Sequence, residues 1–122
     1  MLPTEQILSW QQLSILLSSL LSDAVPDPKA SLSQALELFE SKIITQDFDG
    51  LPDPIAGKMR SYVTESHRLL RLLSMDIMLL ATARSPATIS QRRQAYQDKL
   101  QLIIQYCQAV ADTGGEDLVS YL

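Results

Sequence analysis

"RLLRLLSMDIMLLATAR" (Arg68–Arg84) decides the fold of this 122-residue chain. Two arginines stand at its start and one closes it, and Asp76 interrupts an otherwise apolar middle. From Lys58 to Arg71 the helix it belongs to keeps a polar side made of Lys58, Ser61, Glu65 and Arg68. Continued forward, that side reaches Met75 and Met78, where solvent-facing residues belong. A helix that is apolar all round is buried all round. The expectation is that something covers Met75, Met78 and Leu79, and a second copy of the chain is the simplest cover. Methionines also line adaptable binding surfaces. The alternative is a helix central in the core of one monomer. Asp76 shares the inner stripe with Leu69, Leu73 and Leu80. A buried carboxylate without a partner is costly, so a structural ion pair is expected, with Arg92, Arg93 and Lys99 as the available cations.

Working outward, "PTEQILSWQQLSILLSSLLSD" repeats Trp10, Leu13, Leu17, Leu20 and Ala24 at spacings of three and four, a helical stripe with Thr4 as its expected N-cap. "AVPDP" stops it, and Asp27-Pro28 supplies a new cap and a first-turn proline. Leu32, Leu36, Phe39 and Ile43 form the stripe of a second helix. Asp53-Pro54 repeats the cap-and-proline device before a third helix of roughly 30 residues, about 45 Å at a rise of ~1.5 Å each. Ser85-Pro86 starts a fourth, striped by Ile89, Tyr96, Leu100, Ile103, Cys107 and Val110, with Gly114 and Gly115 expected to end it. The expected helices span about 4–22, 28–44, 54–83 and 86–112. Short connections make successive helices antiparallel neighbours. The expected fold is all-α: one domain over residues 1–122, an antiparallel four-helix bundle in which two shorter helices pack on a long hairpin of the third and fourth. The tail "EDLVSYL" is expected to dock on the bundle or fray.

Hydrophobic residues make up 46% of the chain and charged residues 20%, a globular balance. Net charge is −4, unevenly spread. Residues 1–53 are strongly acidic, residues 58–99 are basic, and residues 112–117 are acidic again. A basic segment of this kind suits an acidic partner or the acidic half of the chain itself. One cysteine, Cys107, forbids an internal disulfide and fits a reducing compartment. No secretory leader opens the sequence, and Arg71 and Asp76 break any window approaching the ~20 apolar residues of a membrane span. A cytoplasmic location is expected.

Motifs for chemistry are few. His67 is the single histidine, which rules out a His-rich metal site. Cys107 lies on an apolar stripe and reads as a buried, inert thiol. "DFDG" (Asp47–Gly50) hints at a calcium loop but lacks the third acid before the glycine, and Lys58 falls where a bidentate Glu is needed. No phosphate loop, nucleotide fingerprint or serine elbow is present. No enzyme, cofactor or metal is expected. "SQRRQAYQDK" places Arg92, Arg93 and Lys99 near a helix start with Arg84 just before it. This small cluster leaves a nucleic-acid-binding regulator as the alternative function.

Over "MDIMLLATARSPATISQRRQAYQDKLQLIIQYCQAV" (Met75–Val110) the chain resembles the cyanobacterial heterocyst-frequency control proteins of the PatD family. The matching features are an apolar segment ending in "TAR" (Thr82–Arg84), a short Ser-Pro linker, a basic helix start and "IQYC" (Ile104–Cys107). The rest of the chain is similar only in size and helical character. The resemblance implies a non-enzymatic regulator linked to how often vegetative cells become heterocysts and to the division protein FtsZ, a filament-forming GTPase. In a unicellular host it would imply a division-linked role. The functional expectation is therefore a regulatory protein-interaction module, homodimeric through Met75, Met78 and Leu79, with Arg84, Arg92 and Arg93 rimming a site for an acidic protein.

Overall fold

The computed structural model describes residues 2–22 and 26–120, with side chains as far as Asp112. Within them the chain forms helices α1 (Thr4–Leu21), α2 (Pro28–Leu38), a π-helical stretch continuing α2 (Phe39–Ile43), α3 (Asp53–Thr82) and α4 (Pro86–Ser120), with no strand among the described residues.

The starts of the helices follow local chemistry. Asp27 Oδ1 accepts from the backbone N–H of Ala30 at 3.2 Å, and Pro28 enters the first turn. Ser85 Oγ accepts from the Thr88 N–H at 3.2 Å while its carbonyl takes the Ile89 N–H at 2.9 Å. Asp27 is the expected cap, and Ser85 caps α4 where Ser85-Pro86 is expected to start it. Thr4 and Asp53 are not caps. Pro3 and Pro52 hold the cap positions, and each of their carbonyls accepts two N–H groups of the first turn. Proline has the extended ψ a cap needs and an available carbonyl, so both helices begin one residue earlier than their acid or hydroxyl suggests. Asp53 instead places its charge in the first turn, where the helix dipole favours it. The fourth helix also departs from expectation at its far end. It passes through Gly114 and Gly115 to Ser120. Glycine in a helix costs about 1 kcal/mol against alanine, a penalty and not a block, and no proline follows to stop the chain. The expectations for Ala24 and for the tail side chains Leu118, Val119, Tyr121 and Leu122 lie outside the described residues.

The direction of each helix follows from its contacts. Tyr62 on α3 faces Tyr106 on α4, with ring centroids 5.3 Å apart, whereas Asp76, farther along α3, meets the earlier Lys99. These two helices are therefore antiparallel. Trp10 on α1 meets Phe39 and Gln46, whereas Leu20 shares a cleft with Pro28. Phe39 stacks on His67 of α3, whereas Pro28 lies with Ile77 and Leu80. Each successive pair thus alternates in direction. α1 also packs extensively against α4, which closes the four helices into a ring. The closed up-down-up-down bundle refines the expected picture of two short helices resting on a long hairpin.

The core is the set of inner stripes. α1 contributes Trp10, Leu13, Leu17 and Leu20, and α4 contributes Tyr96, Leu100, Ile103, Cys107 and Val110. On the α2 segment the buried row is Leu32, Ala35, Phe39 and Ile43, with Leu36 half-buried beside it. The π stretch is where this helix changes step. The Ile44 N–H reaches five residues back to the Phe39 carbonyl at 2.9 Å. The wider turn keeps both Phe39 and Ile43 fully buried while Ile44 turns outward. Phe39 sits at the centre of an aromatic group. Trp10 meets it edge-on at 6.1 Å and 88°, and His67 lies nearly parallel to it at 5.6 Å. Gln46 closes this end by accepting from Trp10 Nε1 at 3.0 Å and donating to the Gln6 carbonyl at 3.3 Å.

"DFDG" is a structural turn. Asp47 Oδ1 accepts from the Asp49 N–H at 2.9 Å, Phe48 is buried in the core, and Asp49 pairs with Arg60 at 2.7 Å. Among the described residues no group of three or more His, Cys, Asp and Glu side chains is placed to hold a metal ion, and no helix is long and apolar enough to cross a membrane.

Candidate interaction surface

The outward row of α3 runs Arg68, Arg71, Met75, Met78 and Thr82, at helical spacings of three and four, and every member is exposed. Its first half is charged. Arg68 binds Glu65 through two guanidinium nitrogens, and this pairing holds the Glu65 carboxyl below its usual range. Its second half is apolar. Met75 is 57% exposed and Met78 65% exposed, while Leu79 beside them is half-buried. Helices α2 and α4 cover the inner face of α3 and leave the methionines uncovered within one chain.

Asp76 points the other way. Lys99 Nζ donates to its Oδ2 at 2.8 Å, with both side chains largely but incompletely buried, so the pair is half-buried rather than fully enclosed. Arg92 and Arg93 are not its partners. Side chains on a helix lean toward its N-terminus. The long Lys99 stem reaches back along α4 to the level of Asp76, while Arg92 and Arg93 lean past it toward the α3–α4 turn. Arg84 and Arg93 are exposed and Arg92 is half-buried, and none of the three forms an ion pair among the described residues.

At the same end of the bundle the helix ends converge on a cleft of about 310 Å³. Leu20 and Pro28 close one side, and Ile77, Leu80 and Ala81 of α3 line another. Tyr96, Gln97 and Arg93 complete it from α4. The sequence gives no signal for this cleft, because its walls come from four separate helices.

Among the described residues no hydrogen bond or ion pair joins Cys107 to His67. Cys107 is 2% exposed, and burial pushes its thiol up to about 12, so it stays protonated and unreactive at neutral pH. His67 is half-buried on Phe39, with Glu40 Oε1 3.5 Å from its Nε2 but out of line for a hydrogen bond. No protein-family model matches this sequence, and no curated protein or solved structure is significantly similar to it.

Proposed function

We propose that the chain is a non-catalytic regulatory module that binds an acidic protein partner and works as a homodimer. One observation carries the reading: two large apolar side chains stand exposed on the outward row of α3, at the positions that its first half fills with charge, close to three arginines that no described carboxylate neutralises. An apolar centre supplies affinity, and a cationic rim supplies orientation and association rate. Met75 and Met78, with Leu79 behind them, form the dimer seam, and Arg84, Arg92 and Arg93 form the rim. The resemblance to PatD proteins makes a filament-forming division GTPase the first partner to try.

Analytical ultracentrifugation of the wild type and Met78→Glu tests the seam. The expected result is a dimer in the micromolar range whose dissociation constant rises at least about tenfold in the variant, equivalent to about 1.4 kcal/mol. A wild type that stays monomeric there removes the dimer. Affinity capture from the native host tests the rim. Arg92→Glu with Arg93→Glu is expected to leave the dimer intact and to weaken capture of an acidic protein, with a loss that depends on salt. Salt-sensitive retention on DNA, without capture of such a protein, would favour the nucleic-acid reading instead.

A further inference from the structure

We propose that the cleft between the converging helix ends binds a small amphipathic carboxylate, with its hydrocarbon chain between Leu20, Ile77 and Leu80 and its carboxylate on Arg93. The inference is independent of the dimer seam, since the cleft uses the inner row of α3 and the seam uses the outer one. The site has an apolar interior and one charge: among its described lining residues Arg93 is the only ionised group, and no carboxylate accompanies it. The size excludes bulky ligands. A volume of about 310 Å³ lies at the lower limit of ligand cavities, which run from ~300 to ~1,000 Å³, and suits a short acyl chain. Arg93 is exposed, so its head group sits at the mouth and its stem follows the apolar wall. A guanidinium fork matches a carboxylate with two parallel hydrogen bonds, and the Gln97 amide, also on the lining, offers a further donor. Lys99, the next cation along α4, is already engaged by Asp76, which leaves Arg93 to meet the ligand.

The test is a titration of the full chain with octanoate, kept below its micelle concentration and followed by methyl NMR. Saturable shifts confined to Leu20, Ile77 and Leu80 are expected. Arg93→Ala is expected to weaken binding at least fivefold, and Ala81→Trp, which fills the cleft from an exposed position, to abolish it, with helix content unchanged in both by circular dichroism. Octylamine is expected to bind at least tenfold more weakly than octanoate. Equal binding of the two, shifts spread over the whole bundle, or an octanoate affinity left unchanged by Arg93→Ala would each overturn the proposal.

Discussion

Cys107 lies on the inner face of α4 among Ile103 and Val110, and its thiol is governed by burial. In the native protein it should resist a disulfide reagent at pH 8 and react at once when the bundle is unfolded, which a thiol-release assay with and without denaturant reads directly. The same burial links stability to alkaline pH. The thiol pKa is raised from 9.0 to about 12 in the folded state, so below pH 9 both states keep the proton. As pH rises from 9 toward 12 the unfolded chain loses its proton while the native one keeps it, and stability falls by about 1.4 kcal/mol per pH unit from this group. Denaturation curves at pH 8 and 10 should show that loss in the wild type and not in Cys107→Ala, whose cavity lowers stability equally at both. Asp76 and Lys99 make the other test at this scale. A half-buried pair falls between exposed pairs, at about 0–1 kcal/mol, and buried ones, where removing one partner costs about 3–5 kcal/mol. A double-mutant cycle with Asp76→Ala and Lys99→Ala should return a coupling of about 1–2 kcal/mol. That Asp76 needed a cation was legible from its place on the inner stripe. Which cation was not, because the choice depends on how the side chains lean across the hairpin.

The helices themselves were legible because each carries a stripe at spacings of three and four and most are bracketed by proline or a capping side chain. Register was legible where one residue type decided it, as at Asp27 and Ser85. It was missed by one residue at Thr4 and Asp53, where the preceding proline competes for the cap. Ser85→Ala should therefore lower stability by about 1 kcal/mol, and Thr4→Ala by no more than a few tenths, in parallel chemical denaturations. The π stretch had no sequence signal, since Phe39 and Ile43 are four apart and satisfy an ordinary helical stripe. Gln46 also escaped notice. It lies just past the π stretch in a polar loop, yet it satisfies the indole N–H of fully buried Trp10. Gln46→Ala leaves that donor unpaired and should cost about 1–3 kcal/mol, measured by the midpoint of urea unfolding followed by circular dichroism.

At the level of the molecule, the acidity of residues 1–53 is not in the helices: α1 carries only Glu5, the α2 segment balances Glu37 and Glu40 against Lys29 and Lys42, and Asp27, Asp47 and Asp49 lie between helices. Ring closure sets α1 against α4 and α2 against α3, and among the described residues Arg60 meets Asp49 and His67 approaches Glu40 across the acidic and basic segments. The basic segment is partly answered within the fold: of its eight cations Arg60, Arg68 and Lys99 are paired among the described residues, and three of the other five, Arg84, Arg92 and Arg93, lie toward the α3–α4 turn. Net charge alone, −4, conceals that concentration. The exposed methionines were legible from the way the polar side of the third helix runs out. The cleft was invisible because it exists only after all four helices meet.

The two ends of the bundle are optically unequal. Trp10 is the only tryptophan, fully buried against Phe39 and hydrogen-bonded to Gln46. The cleft begins at Leu20, ten residues farther along the same helix, or about 15 Å away. Indole emission, excited at the red edge where tyrosine does not absorb, therefore watches one pole and is blind to the other. Opening of the Gln46 end moves the indole into water and shifts its emission to the red, whereas occupation of the far pole leaves the colour as it was. A single cuvette can thus separate loss of structure from uptake of a small molecule, with no label added.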